Sequence, residues 1–267
     1  MIKDYHMHPA LLCTSEQRFD QFVQQAVKMG IEEICITDHM PLSCSKAKDR
    51  IPHGRVEDYC RSVRGLSQKY KNILSIKVGI EIDFHPSVTD EIENVLKCGD
   101  FDYVLGSTHL HVMENGDILK NSSGRNEYAE LSFKNTIAAA RSGYFDAIAH
   151  LDMFKAIFAQ PKRYPITDDG YSEEKHIELL HQTLEEIKDN GLRLELNPHF
   201  ASSEFVDPDN RLDSMYPSPS IVQMALDKNM RFSFGSDAHS LEQVGELLPQ
   251  LRKHSVFGKA ISKWENE

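Results

Sequence analysis

Short apolar runs alternate with segments of helical periodicity along the whole chain. Seven short runs that end in polar residues predict strands at 3–8, 33–37, 74–82, 103–108, 146–149, 193–196 and 232–234. Between them, apolar residues recur every three or four positions, as at Phe19, Phe22, Val23 and Ala26. The main helices are predicted at 56–70, 89–97, 127–142, 173–190 and 219–229, and a polar loop at 113–124.

Regular alternation of strands and helices predicts a parallel sheet with its helices outside. Seven such units follow one another without a linker, and the chain has 267 residues. Single β/α barrels commonly have about 250 residues. We therefore expect an α/β fold, a distorted (β/α)7 TIM-like barrel that forms a single domain over residues 1–267. A doubly wound open sheet is the alternative.

Polar residues follow the ends of these predicted strands. They are His6 and His8, Asp38 and His39, Glu81, His109 and His111, His150 and Asp152, Glu195 and Asn197, and Asp237 and His239. In parallel barrels the carboxyl ends of the strands lie on one face, where catalytic residues are found. The sequence therefore predicts that these side chains converge at one mouth.

Histidine dominates this set, since seven of the 13 histidines in the chain lie at predicted strand ends. Imidazoles combined with carboxylates form a nitrogen and oxygen site suited to Zn, Mn or Fe. The five cysteines are scattered and form no C-x-x-C pair, which argues against a thiolate zinc site. Because several ligand pairs surround one mouth, we expect more than one ion and hydrolysis of a phosphate or amide bond.

Charge and hydropathy narrow the partners. A net charge of −11 makes nucleic acid an unlikely partner, because the chain would repel phosphate backbones. No run approaches 18 apolar residues, and the first residues lack the apolar core of a signal peptide. We therefore expect a cytoplasmic protein with reduced thiols and no membrane partner. A homo-oligomer is left open.

Six of the motifs together resemble those of the PHP (polymerase and histidinol phosphatase) superfamily, in order and spacing. They are His6-Met7-His8, Thr37-Asp38-His39, Gly79-Ile80-Glu81, Ser107-Thr108-His109, Ala149-His150-Leu151-Asp152 and Gly235-Ser236-Asp237-Ala238-His239. Glu195-Leu196-Asn197 and Tyr216-Pro217-Ser218 are similar to the histidinol-phosphate phosphatase branch.

The resemblance implies a distorted seven-stranded barrel with two to three divalent metal ions. In this reading, His6, His8, Glu81 and Asp237 hold one ion. Glu81 bridges to a second ion, which is also held by His109 and His150. His39 and His239 hold a third. The implied activity is hydrolysis of a small phosphorylated substrate, L-histidinol phosphate, to L-histidinol and inorganic phosphate in histidine biosynthesis.

Two departures from the branch pattern bear on the site. The segment 9–15 lacks the histidine that would complete the third site, so the third ion is weaker, uses water as a ligand or is absent. The arginine expected after Asn197 is also missing. The candidates for the phosphate or substrate contact are Lys155, Arg163, Asn197 and Arg211. His111 and Asp152 are the candidates for protonating the leaving oxygen.

Three rival functions remain open. A phosphoesterase of the same superfamily acting on nucleotides or short oligonucleotides would need a basic groove. A metal-dependent amidohydrolase often uses a carbamylated lysine as the bridging ligand, whereas Glu81 takes that position here. A non-catalytic metal-binding module would need only closed ligand sets.

Overall fold

Seven parallel strands form the centre of the molecule. The computed structural model describes residues 1–9, 16–43, 50–111, 117–202 and 208–267. The strands are β1 (Lys3–Asp4), β2 (Glu33–Ile36), β3 (Ser75–Asp83), β4 (Tyr103–Ser107), β5 (Ala147–Ile148), β6 (Arg193–Leu196) and β7 (Arg231–Phe234). Each strand pairs in parallel with the next one along the chain, from β1 to β7.

The first and last strands also meet, which nearly closes the sheet into a barrel. The amide of Tyr5 donates to the carbonyl of Phe234 at 2.9 Å, and the amide of Asp237 donates to the carbonyl of His6 at 2.7 Å. Met7 and Ala238 form a parallel bridge just beyond these bonds. Sequential strand order with joined edges excludes the doubly wound alternative. The prediction of a distorted (β/α)7 barrel is confirmed.

Helices surround the barrel. They are α1 (Glu16–Lys28), α2 (Val56–Tyr70), α3 (Thr89–Cys98), α4 (Asp117–Asn121), α5 (Arg125–Arg141), α6 (Phe154–Phe158), α7 (Ile177–Asp189), α8 (Pro219–Asp227), α9 (Leu248–Leu251) and α10 (Phe257–Glu265). In α2, the buried side chains Tyr59, Cys60, Val63 and Leu66 are three or four residues apart, so one face of the helix packs on the sheet.

Three helical details differ from the sequence prediction. The predicted loop 113–124 contains α4, and α6 was not predicted; each has only five residues, too few to show a helical period. The predicted helix 173–190 begins with a 3-10 turn at Glu173–His176 before α7. None of the described helices is long and apolar enough to cross a membrane.

The C-terminal helix packs against the barrel end where the strands begin. Trp264 on α10 is 3% exposed, and the Lys3 Nζ atom lies 4.4 Å from its ring centroid. The Arg193 guanidinium lies 4.8 Å from the same ring. Because Lys3 and Arg193 begin β1 and β6, α10 covers the amino-terminal end of the barrel. The strand-end polar residues lie at the opposite end.

Candidate metal centre

Four side chains from three strand ends meet beside the closure of the barrel. His6 and His8 follow β1 on the same face, and their Nε2 atoms are 3.0 Å apart. Glu81 Oε2 lies 3.2 Å from His6 Nε2 and 3.4 Å from His8 Nε2. Asp237 Oδ1, from the segment after β7, lies 3.1 Å from His8 Nε2. The structure thus brings together the four residues expected to hold one ion.

Glu81 also faces a second group of histidines. Its Oε1 atom lies 3.1 Å from His150 Nε2 and 3.9 Å from His109 Nε2, and its Oε2 atom lies 2.8 Å from His39 Nδ1. Ligand atoms of Glu81, His109 and His150 all lie within 4.8 Å of one another. The two oxygens of one buried carboxylate therefore face two sets of nitrogen atoms, which is the arrangement a bridging ligand requires.

His39 and His239 lie on the outer side of this group. Their ligand atoms and one of His8 lie within 4.8 Å of one another. The His8 ring stacks on that of His39 with centroids 4.4 Å apart, and lies 4.6 Å from that of His239. The structure places the two residues expected for a third ion next to the first site, although their own ring centroids are 6.5 Å apart.

Further polar residues surround the histidines and carboxylates of the cluster and hold them in place. Glu195 Oε1 contacts His6 Nδ1 at 2.6 Å, and Glu195 Oε2 accepts hydrogen bonds from the His150 amide at 3.0 Å and from Asn197 Nδ2 at 3.1 Å. Asn197 Nδ2 also lies 3.2 Å from Asp237 Oδ2. Carboxylates and amides that orient metal-binding imidazoles in this way tune their basicity.

Asp83 and Arg50 belong to the site but were not predicted from the sequence. Asp83 Oδ1 contacts His109 Nδ1 at 2.5 Å and accepts a hydrogen bond from Ser107 Oγ at 2.9 Å, while Asp83 Oδ2 pairs with Arg50 Nη2 at 2.5 Å. A strand period of two places Glu81 and Asp83 on one face, so the Glu-x-Asp spacing could have indicated Asp83. Arg50 lies in a segment with no periodic pattern.

The electrostatics of the cluster keep Glu81 ionised and His8 neutral. Burial alone would raise the pKa of Glu81, but His39 and His6 outweigh burial and hold that pKa well below its usual value. Burial, together with the neighbouring His39, lowers the pKa of His8 far below its ordinary value, so its ring is neutral. Deprotonated carboxylates and neutral imidazoles are the forms that bind metals.

The donor set suits divalent metal ions. Glu81, Asp83, Glu195 and Asp237 are all at most 8% exposed. Buried carboxylates are costly unless they are paired or coordinate a cation. The buried atoms His8 Nδ1 and Glu81 Oε2 form no hydrogen bond with any residue that the structure describes. Imidazole nitrogen and carboxylate oxygen atoms in one buried cluster match the ligands of Zn, Mn and Fe.

A cavity of about 250 Å³ opens above the cluster. Besides metal-centre residues, its wall includes Arg50, His111, Met153, Arg163 and Tyr216. Burial, followed by the charge of His109, lowers the pKa of His111 to about 3. Two guanidinium groups thus border a histidine-rich cavity, and guanidinium is a strong partner for phosphate oxygens.

Comparison with known proteins now identifies the family. Residues 4–199 match the PHP domain. The chain belongs to the PHP domain family.

Relatives of this PHP protein cover nearly its whole length. It is 30% identical over 251 residues to a probable histidinol-phosphatase of Deinococcus radiodurans, covering 91% of this chain and 88% of the relative. It is 28% identical over 272 residues to the histidinol-phosphatase of Bacillus subtilis, covering 91% and 95%. The fold is similar to that of histidinol phosphate phosphatase from Lactococcus lactis in complex with zinc, L-histidinol and phosphate. That comparison gives a TM-score of 0.75 at 21% identity, covering 97% of this chain and 93% of the other.

The residues expected to bind substrate or move protons do not all reach the cavity of this PHP protein. Arg163 and His111 border it. Asp152 Oδ2 instead accepts hydrogen bonds from Lys155 Nζ at 2.6 Å and from the Ser218 amide at 3.1 Å. Neither Asp152 nor Lys155 is among the described lining residues. Their mutual pairing therefore does not favour proton donation by Asp152 or phosphate binding by Lys155.

The structure places Asn197 and Arg211, two further candidates for the substrate contact, away from the cavity. Asn197 is fully buried and joins the carboxylates of Glu195 and Asp237, so its place is behind the metal centre and not against a substrate. Arg211 is exposed and is not among the described residues of the cavity wall. Segment 9–15 has no histidine for the third site. Its residues 10–15 lie outside the described part of the chain.

Proposed function

We propose that this chain is a metal-dependent phosphomonoesterase that hydrolyses L-histidinol phosphate to L-histidinol and inorganic phosphate. The observation that carries the proposal is the cavity itself, in which a buried cluster of histidines and carboxylates faces Arg50 and Arg163. Relatives along nearly the whole chain bear the name histidinol-phosphatase. The function is consistent with histidine biosynthesis in the cytoplasm, by a single PHP-type domain over residues 1–267.

The proposed ligands form three sets, with two to three Zn, Mn or Fe ions in total. They are His6, His8, Glu81 and Asp237 for one ion, Glu81, His109 and His150 for the second, and His39 with His239 for the third. Divalent ions in such a centre supply a nucleophile from water and offset the charge of the phosphoryl oxygens.

Side chains of this protein would bind the substrate and carry the proton. Arg50 and Arg163 would bind the phosphate oxygens and hold the substrate in one orientation at the cavity wall. His111 is the proposed proton carrier, because it borders the cavity and its Nδ1 atom is buried without a hydrogen-bond partner among the described residues. Burial lowers the pKa of this ring to about 3, so His111 would hold a proton at Nδ1 only briefly before passing it to the leaving alkoxide.

The cavity also bears on the rival functions. The described residues of the wall enclose about 250 Å³, a volume that suits one small phosphate ester better than an oligonucleotide. No lysine lies among the described lining residues that could take the bridging position of an amidohydrolase. Open space above the ligands is also what a catalytic site needs and a closed structural metal site lacks.

The test is phosphate release by metal-loaded protein from L-histidinol phosphate, nucleoside monophosphates and an aryl phosphate. We expect L-histidinol phosphate to be hydrolysed with the highest kcat/KM. Glu81→Gln should abolish turnover and reduce bound metal, whereas Glu178→Gln, at an exposed position of α7, should change neither. No phosphate release from any substrate by fully metallated protein would refute the proposal.

A further inference from the structure

His199 lies beside the proposed metal centre but belongs to none of its ligand sets. Its ring centroid is 4.9 Å from that of His239, and it borders the cavity. The His199 amide donates to Asn197 Oδ1 at 2.9 Å, which ties the residue to the side chain that also holds Glu195 and Asp237. The His199 Nδ1 atom is buried and has no hydrogen-bond partner among the residues that the structure describes.

In the neighbouring His239, one ring nitrogen forms a hydrogen bond and the other is free to bind a metal ion. Its Nδ1 atom lies 2.8 Å from the backbone carbonyl oxygen of Asp237. A carbonyl oxygen can only accept, so Nδ1 carries the hydrogen and donates it. The lone pair of the neutral ring is therefore on Nε2, in the tautomer that a metal-binding histidine adopts when a backbone carbonyl orients it.

The spacing of the rings matches two ligands of one ion. With metal–nitrogen distances of about 2.0–2.1 Å, two imidazoles in a tetrahedral site have ring centroids roughly 5 Å apart. The His199–His239 separation of 4.9 Å agrees with this value, whereas the His39–His239 separation is 6.5 Å. His199 is thus better placed than His39 to share an ion with His239.

We propose that His199 is a metal ligand, which holds the third divalent ion together with His239 and His39. The inference rests on the metal centre proposed above and is independent of the substrate. It assigns a ligand role to a ring nitrogen that has no hydrogen-bond partner among the described residues, in a chain whose segment 9–15 has no histidine for the third site.

The test counts metal ions and does not depend on catalysis. Wild-type protein, His199→Ala and His199→Asp are dialysed against Zn²⁺, and the ions per chain and their dissociation constants are measured. We expect His199→Ala to bind one ion fewer, or to bind the weakest ion at least about 100-fold more weakly, because loss of an outer partner alone costs roughly 10–100-fold. His199→Asp should restore part of the affinity, since carboxylate oxygen also binds zinc.

The matched control is His181→Ala, an exposed histidine on α7, which should bind metal as the wild type does. With Co²⁺ in place of Zn²⁺, the visible absorption of the weakest-bound ion should change in His199→Ala and remain unchanged in His181→Ala.

Equal stoichiometry and affinity in His199→Ala and wild type would overturn the inference. Absence of any bound ion in the wild type would overturn both the metal centre and this ligand. Metal binding as expected, without phosphate release from any substrate, would support the ligand and refute only the phosphatase function.

Discussion

Glu81 and Asp83 leave β3 on the same face, and each connects the strand to a different part of the site. Glu81 faces histidines from four other strand ends, while Asp83 contacts His109 on one side and Arg50 on the other. Burial would raise the pKa of Asp83, but Arg50 and His109 hold it well below its usual value. Asp83 therefore remains an anion that orients one proposed metal ligand and one proposed phosphate contact.

Replacing Asp83 by asparagine tests this positioning role. Asp83→Asn keeps the shape of the side chain but removes the charge that orients His109 Nδ1. We expect the ion shared by Glu81, His109 and His150 to be bound about 10–100-fold more weakly, as is typical when the outer partner of a metal-binding histidine is lost. Metal titration measures the change, and KM should rise as well because Arg50 loses its carboxylate partner.

The matched control is Asp58→Asn on α2, where the carboxylate pairs with Arg55 and Arg61 at the surface. This variant should bind metal as the wild type does. If Asp83→Asn also retained wild-type affinity, Asp83 would not position His109.

Site residues could be predicted from the sequence where they follow a regular strand. They could not be predicted in segments without a regular pattern. The strand-end residues from His6 to His239 could be selected because seven predicted strands each ended in a polar side chain. Arg50 could not, because it precedes α2 in an irregular segment. The sequence did not indicate α6, so it gave no sign that Lys155 on this helix pairs with Asp152, two residues before the helix begins.

At the scale of elements, one partly buried ion-pair network joins three segments beside the cavity. Lys155 on α6 donates to Asp152 at 2.6 Å, to Glu173 in the 3-10 turn at 3.0 Å and to Ser218 Oγ at 3.1 Å. Ser218 directly precedes α8, two residues after Tyr216 of the cavity wall. Burial would lower the pKa of Lys155, but Asp152 and Glu173 outweigh it and raise that pKa. The network thus ties α6 and the residue before α8 together beside the cavity wall, and it commits Asp152 to pairing with Lys155 and Ser218.

Breaking this network should cost stability. In Lys155→Met, the fully buried Asp152 carboxylate would lose its counter-charge, and we expect a loss of about 3–5 kcal/mol in the free energy of unfolding. Asp152→Asn combined with Lys155→Met should cost less than Lys155→Met alone, because no unpaired charge then remains buried. Urea denaturation followed by circular dichroism measures both.

Lys134→Met provides the comparison, since Lys134 pairs with Glu130 on the exposed face of α5 and its loss should matter little. A Lys155→Met protein as stable as the Lys134→Met protein would show that the network does not hold these segments together.

At the scale of the whole molecule, the sequence indicated the order of strands better than the closure of the sheet. All seven predicted strands overlap observed ones, because short runs between segments of helical periodicity leave few alternatives. Closure depends on backbone bonds between residues far apart in sequence, such as Tyr5 with Phe234. No local pattern encodes such bonds, and so the open sheet stayed an alternative until the strand order was known.

The proposed metal ligands come from six of the seven strand ends, so loss of bound ions should destabilise the whole fold. A ligand present at 100 times its dissociation constant stabilises the folded state by about 2.7 kcal/mol. For a chain of this size, that free energy corresponds to roughly 5–10 °C in Tm for each ion. We expect chelation with EDTA to lower Tm by at least this amount and re-addition of Zn²⁺ or Mn²⁺ to restore it.

Glu81→Gln, which removes the proposed bridging carboxylate, should start from the lower Tm and respond far less to EDTA. Glu178→Gln should respond as the wild type does. An unchanged Tm after verified removal of the ions would mean that the barrel holds these strand ends in place without them.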